Sequence, residues 1–174
     1  MDEARTRDEK QSFTGDEALR KMSNDEWGTP QWLFDKLDEE FGFDLDVCAS
    51  KENHKCPHYF DIEDDGLKQN WNERNFCNPP YSNQLPWGIK AAGQASHGKL
   101  TVMLAMCDTS TNFFSYCVSH ADQIRLLTHR IQFEGAKGSP RFASMIVVFG
   151  SRIWQPKLYR NAEITLADYR VFKV

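Results

Sequence analysis

Leu100-Thr101-Val102-Met103-Leu104-Ala105-Met106 is almost continuously apolar. A strand with one wet face alternates apolar and polar residues, so an unbroken run marks a strand covered on both faces. It is also far shorter than the roughly 20 residues a membrane span requires. A doubly covered strand needs helices on either side, and the flanking segments supply them. Leu85 to Ser96 reads as a weak helix ended by Gly98, and Thr111 to Ser119 as a short one. Gln123 to Thr128 and the apolar Ala143 to Phe149 read as further strands. This alternation predicts an α/β sheet of parallel character. Residues 129–149 look different: two strands joined by Glu134-Gly135-Ala136-Lys137-Gly138-Ser139-Pro140 suggest an antiparallel hairpin at one edge. A chain of 174 residues has room for one such domain and little more.

Towards the N-terminus, residues 1–24 are polar and without period, which predicts a flexible tail. Thr29 suits a helix cap and Pro30 a first helical position. Leu33, Leu37 and Phe41 then recur every four residues until Gly42. Phe43 to Ala49 alternates into a short strand with an acid near its end. Residues 50–72 are mixed and polar, with a small strand at His58–Asp61. The expected organisation is a tail (1–24), a domain (25–150) and a C-terminal extension (151–174), packed on the domain or partly flexible. The charged N-terminus is unlike a secretory signal. Five cysteines without framework spacing point to a reducing cytoplasm. Neither feature suggests a membrane partner.

The formal net charge of −4 argues at first against nucleic acid, but it is unevenly spread. Residues 1–65 carry 19 acidic and 8 basic side chains (net −11), whereas residues 66–174 carry 6 and 13 (net +7). From Gln123 to Ala162 the only acid is Glu134, against seven bases: Arg125, Arg130, Lys137, Arg141, Arg152, Lys157 and Arg160. Such polarity is compatible with a basic face that the total conceals, and equally with scattered solvated charges.

The sharpest chemical feature follows a short strand, Arg74 to Cys77: Asn78-Pro79-Pro80-Tyr81. Two prolines end the strand and stiffen what comes next. In open α/β sheets ligands sit beyond the carboxyl ends of strands, which is where this tetrapeptide lies. Asn78 adds a side-chain carbonyl, Pro79 and Pro80 expose main-chain carbonyls, and Tyr81 offers a ring on which a planar group can stack. Two convergent carbonyls suit an exocyclic NH2, whose hydrogens they accept. The bland alternative is a rigid turn.

Here the chain resembles a family. Asn-Pro-Pro-Tyr is the motif of amino-group methyltransferases that use S-adenosylmethionine. The ordered set Trp27-Gly28-Thr29-Pro30, Phe43 to Ser50, Asp65-Gly66-Leu67 with Trp71, and Asn78 to Ser82 resembles the phage-type DNA N6-adenine methyltransferases (Dam-like). Asp108-Thr109 with Phe114, and Arg130 to Phe133, fit the same pattern. The resemblance covers about Glu26 to Gly150 and implies a Rossmann-like methyltransferase fold. It implies Asn78, Pro79, Pro80 and Tyr81 as catalytic residues. Trp27, Thr29, Pro30, Asp46, Cys48, Ala49, Ser50 and Asp65 become cofactor-binding, with S-adenosylmethionine as cofactor and double-stranded DNA as partner. A helix N-terminus at Thr29-Pro30 is a plausible seat for the methionine carboxylate.

The chain departs from the fuller pattern in two ways. The first-strand motif lacks the usual glycines, and only residues 50–77 separate Ser50 from Asn78. Two strands and their helices are therefore shortened, and the ribose-binding acid stays open among Asp61, Glu63 and Asp64. Lys137 and Arg141, with Arg130 at the loop base and Ser82 beside the tetrapeptide, are the expected DNA contacts. No room remains for a separate recognition domain. Specificity is expected from this loop, from residues 51–72, or from a second subunit in a homodimer, and the target sequence is not legible. Cys48, His54, Cys56 and His58 have no known metal-finger spacing, so no metal is expected. The alternatives are methylation of RNA or a protein glutamine, and a non-catalytic nucleic-acid or zinc-binding module.

Overall fold

The structure is a computed structural model and describes residues 25, 27–136, 138, 140–151 and 163–167. Among these, six strands form one sheet: β1 (Leu45–Asp46), β2 (Arg74–Cys77), β3 (Leu100–Cys107), β4 (Gln123–Leu127), β5 (Ala143–Phe149) and β6 (Glu163–Ala167), in the order β1-β2-β3-β5-β4-β6. β1, β2 and β3 run parallel, and β6 is parallel to β4. β5 lies antiparallel to both β3 and β4. With helices α1 (Gln31–Phe41), α2 (Leu85–Ala95) and α3 (Asn112–His120), the arrangement is α/β and Rossmann-like, mostly parallel with an antiparallel part. None of the described helices is long and apolar enough to cross a membrane.

The apolar run does what its composition requires. Val102 and Leu104 pack on one face with Leu33, Phe34 and Leu37 of α1. Met103 and Ala105 pack on the other with Trp87 and Ala91 of α2 and Phe113 and Cys117 of α3. Each large apolar side chain buried this way contributes roughly 1.5–3 kcal/mol, so β3 anchors both cores. β5 obeys the same rule: the antiparallel pairing expected near the C-terminus is present between β4 and β5, while its first strand ends at Leu127 and it does not stand at an edge. Met145 to Phe149 are buried on both faces, and β5 lies between β3 and β4 instead of at an edge of the sheet. The described residues of 128–142 form no strand of their own, and Glu134 among them bridges Gly28.

α1 starts differently from expectation. Pro30, not Thr29, is its N-cap, and the Pro30 carbonyl accepts from the Leu33 and Phe34 amides. Gly42 closes the helix with φ of 63°, donating to the Asp38 carbonyl at 2.8 Å; a left-handed residue there favours glycine. α3 has a true side-chain cap, Thr111 Oγ1 accepting from the Phe114 amide at 3.1 Å.

The predicted strand Phe43–Ala49 is reduced to Leu45–Asp46. Asp46 exchanges backbone hydrogen bonds with His58 and Phe60 at 2.9 Å each, and Ala49 donates to Phe60. The strip 58–60 therefore stands where a second strand would, which is how the shortened segment keeps its backbone paired. Gly66 lies so close beneath that a Cβ there would meet the Val47 carbonyl at 2.2 Å. The Gly66 carbonyl accepts from Trp71 Nε1 at 2.8 Å.

Candidate active site

Beyond the carboxyl ends of β1 and β2 lies an open cleft of about 800 Å³. It is lined by Trp27, Gly28 and Thr29, by Asp46 to Lys51, by Phe60 to Glu63 with Asp65, and by Asn78, Pro80 and Trp87. Of the residues singled out from sequence, the fold brings Trp27, Thr29, Asp46, Cys48, Ala49, Ser50, Asp65, Asn78 and Pro80 onto this one surface. Pro30 sits behind it as the α1 cap, Pro79 is buried, and Tyr81 packs among aromatic rings.

Thr29 is 2% exposed, and its Oγ1 has no hydrogen-bond partner among the described residues. A buried hydroxyl without a partner costs free energy, so it marks a place where a ligand's polar group is expected. Asp46 is 3% exposed. Its carboxylate accepts from the Lys55 amide at 3.1 Å and the Cys48 amide at 3.4 Å. Burial nevertheless raises its pKa to about 6, the two amides and the nearby His54 and Lys55 charges offsetting part of the effect. Burial, and the Asp46 carboxylate after it, push the Cys48 thiol up to about 12, so Cys48 lines the cleft as a neutral, unreactive group. Asp65 holds the left-handed φ of 55° and pairs with Lys68 at 2.8 Å, which lowers its pKa.

The tetrapeptide is held from outside. Asn78 Nδ2 donates to the Trp27 carbonyl at 2.8 Å, while its Oδ1 accepts from the Tyr81 hydroxyl at 3.2 Å. The amide's orientation is thereby fixed, with Oδ1 retaining acceptor capacity. The Pro80 carbonyl is taken by the Asn83 amide. Tyr81, 8% exposed, meets Phe133 and Phe142 edge-on with centroids 5.6 and 5.0 Å away, and Trp27 stacks on the same two rings. Asp25 caps the turn after the motif, accepting from the Ser82 amide at 3.0 Å and its hydroxyl at 2.6 Å. Ser82 is thus engaged within the chain.

Of the basic residues, Arg141 is exposed and Arg130, also exposed, ties the loop base by donating to the Pro140 carbonyl at 2.9 Å. Lys137 lies outside the described residues. Arg125 is committed elsewhere, in a two-pronged pair with Glu40 at 2.6 and 2.7 Å. His54 stacks on Tyr59 and its Nδ1 meets the Cys56 carbonyl, and no cluster of three metal-ligating side chains occurs among the described residues.

Sequence reasoning missed Asp25, Phe142, Lys55 and the part taken by Glu134. The Glu134 backbone bridges Gly28, and its carboxylate accepts from the Gln31 amide at 3.1 Å and from Lys55 Nζ at 2.9 Å. The one available signal was that Glu134 is the sole acid in a basic stretch.

A family model described as "DNA N-6-adenine-methyltransferase (Dam)" matches residues 16–159. The chain is 40% identical over 120 residues to the DNA N-6-adenine-methyltransferase of Haemophilus phage HP1 (strain HP1c1), covering 66% of this chain and 69% of that protein. It is 35% identical over 103 residues to the protein of the same name from Escherichia phage T1, covering 58% of this chain and 43% of that one.

Proposed function

Because the chain belongs to the Dam family of DNA N-6-adenine-methyltransferases, we propose that it methylates N6 of adenine in double-stranded DNA with S-adenosylmethionine as methyl donor. The observation that carries the reading is the convergence of the Asn78 amide, the Pro-Pro turn and the orphaned Thr29 hydroxyl on one cleft. When bound, the cofactor supplies an electrophilic methyl group on a sulfonium, and it also carries an ammonium and a carboxylate. The cleft suits that charge pattern: Asp25, Asp46, Glu52, Asp61, Glu63 and Asp65 line it against Lys51 and Lys55. Asp46 faces the positive groups, and Thr29 Oγ1 gains the partner it lacks. Asp61 directly follows the strip beside β1 and is the residue we assign to the ribose hydroxyls.

The target base must leave the duplex stack, at a cost of a few kcal/mol. Asn78 Oδ1 and the Pro79 carbonyl then accept the two hydrogens of its amino group, which directs the nitrogen lone pair away from them and along the line of attack. Positioning supplies most of the acceleration. No strong base is required beforehand, since the nitrogen becomes acidic only once methylated, and Asn serves. Tyr81 stacks on the base; because Phe142 now sits 5.0 Å from its ring, loop 128–142 has to shift to admit it. Arg130, Lys137 and Arg141 on that loop meet the DNA backbone.

The experiment is Asn78→Ala, assayed for methyl transfer to DNA and for S-adenosylhomocysteine affinity. Losing one of two convergent acceptors should lower transfer about 100-fold or more with cofactor affinity nearly unchanged. Transfer at the wild-type rate would refute the role given to the motif.

A further inference from the structure

Among the described residues that line the cleft, Lys55 is the one buried cation: its side chain is 7% exposed, while Lys51, the other ammonium among them, is exposed. Nζ donates to Glu134 Oε2 at 2.9 Å and to Gln31 Oε1 at 3.1 Å. An ammonium has three N–H groups, so one more acceptor can be taken without breaking either bond. The same residue's amide holds Asp46. Lys55 thus joins four stretches of chain at one end of the cleft: the start of α1, the end of β1, its own loop, and loop 128–142.

Glu134 occupies a telling position within this junction. Its carboxylate sits at the N-terminus of α1, on the Gln31 amide, where partial positive charge favours an anion. It is not itself on the cleft wall; Gly28 intervenes, and a Cβ at Gly28 would come within 3.3 Å of Glu134 Oε2. Next along the chain from Gly28, the Thr29 hydroxyl is buried and has no hydrogen-bond partner among the described residues. A cationic, donor-rich corner with an unsatisfied hydroxyl, inside an otherwise acidic cleft, is complementary to a carboxylate.

We infer that Lys55 receives the carboxylate of the cofactor's amino-acid end, and that Glu134 is the internal anion with which that carboxylate shares it. The inference rests on the cofactor reading above. It has a consequence for the DNA side. Glu134 lies on the loop that carries Phe133, Phe142, Arg130 and Arg141, so filling the carboxylate seat loosens the Lys55–Glu134 ion pair that ties this loop to the cleft. By thermodynamic reciprocity, DNA that draws the loop away from Lys55 strengthens cofactor binding by the same factor.

The test compares two probes by isothermal titration calorimetry on the full chain. S-adenosylhomocysteine carries the amino-acid end, whereas 5′-methylthioadenosine keeps the nucleoside and lacks the carboxylate and ammonium. In Lys55→Met, S-adenosylhomocysteine affinity should fall tenfold or more, the usual range for a charge-assisted hydrogen bond. Methylthioadenosine affinity should change less than about twofold, which also reports that the variant is folded. In Glu134→Gln the Lys55 ammonium is no longer shared, and S-adenosylhomocysteine affinity should rise severalfold with methylthioadenosine again unchanged. An unaltered S-adenosylhomocysteine affinity in Lys55→Met, or an equal loss of both ligands, overturns the seat. A fall in Glu134→Gln overturns the sharing. Failure of the wild-type chain to bind either nucleoside would instead overturn the cofactor reading on which the inference stands.

Discussion

At the scale of single residues, Asp46 shows how position overrides type. An aspartate in water ionises near 3.8, yet desolvation in the cleft raises this one to about 6. The backbone donors from Lys55 and Cys48, and the His54 and Lys55 charges, oppose the shift and do not cancel it. The fold therefore favours the protonated carboxyl. Its contribution to stability is fully present below pH about 3.8 and is lost as pH rises through about 6. A cationic ligand reverses the preference, because an adjacent ammonium draws the pKa back down. S-adenosylhomocysteine affinity should accordingly fall as pH is lowered through about 6, with a proton released on binding in that window. Calorimetry in buffers of different ionisation enthalpy measures both. In Asp46→Asn the step should vanish and the affinity at neutral pH should drop. A pH profile identical to wild type would remove Asp46 from the ligand's surroundings. The sequence pointed to this residue as an acid near the end of an alternating strand and through its match to the family's first-strand motif. Lys55 gave no such hint, since its partners Gln31 and Glu134 lie 24 and 79 positions away.

Elements divide along the same line between local and distant information. β3 was legible because a short, continuously apolar run between turn signals fits a strand covered on both faces, and both of its faces are indeed covered. The place of β5 was not legible, because strand order depends on partners at long range and a run of apolar residues does not say which neighbours will cover it. α1 was found from its four-residue period and Gly42, while its capping was misassigned: Thr29 faces the cleft environment instead of the helix amides. Loop 128–142 is the element with the most to test. Its glycine-rich sequence suggested a hairpin, but Glu134, Phe133 and Phe142 draw it across the site by contacts to Gly28, Trp27 and Tyr81. If the loop meets phosphate, Arg141→Glu should weaken DNA binding across sequences and reduce the magnitude of the salt slope by about 1–2. Its S-adenosylhomocysteine affinity should match wild type. A salt dependence equal to wild type would take Arg141 off the DNA.

At the scale of the whole molecule, the −4 net charge separates into two tasks. The acidic first third supplies Asp25, Asp46, Glu52, Asp61, Glu63 and Asp65 to the cleft, a suitable environment for a cationic cofactor. The basic remainder is smaller than it looks, since Arg125 is neutralised by Glu40 and Arg130 is partly spent on the loop base. Non-specific attraction to DNA should therefore be weak. The shortened stretch between β1 and β2 fits the same economy, with strip 58–60 standing in for a full strand and Gly66 packed directly against Val47. The central claim is that this cleft delivers a methyl group to adenine N6 in duplex DNA. It is tested most directly by incubating the full chain with tritiated-methyl S-adenosylmethionine and unmethylated double-stranded DNA, then hydrolysing the DNA and identifying the labelled base. The account predicts label on N6-methyladenine at a recurring sequence. DNA without label, alongside methylated RNA or protein glutamine under the same conditions, would contradict it.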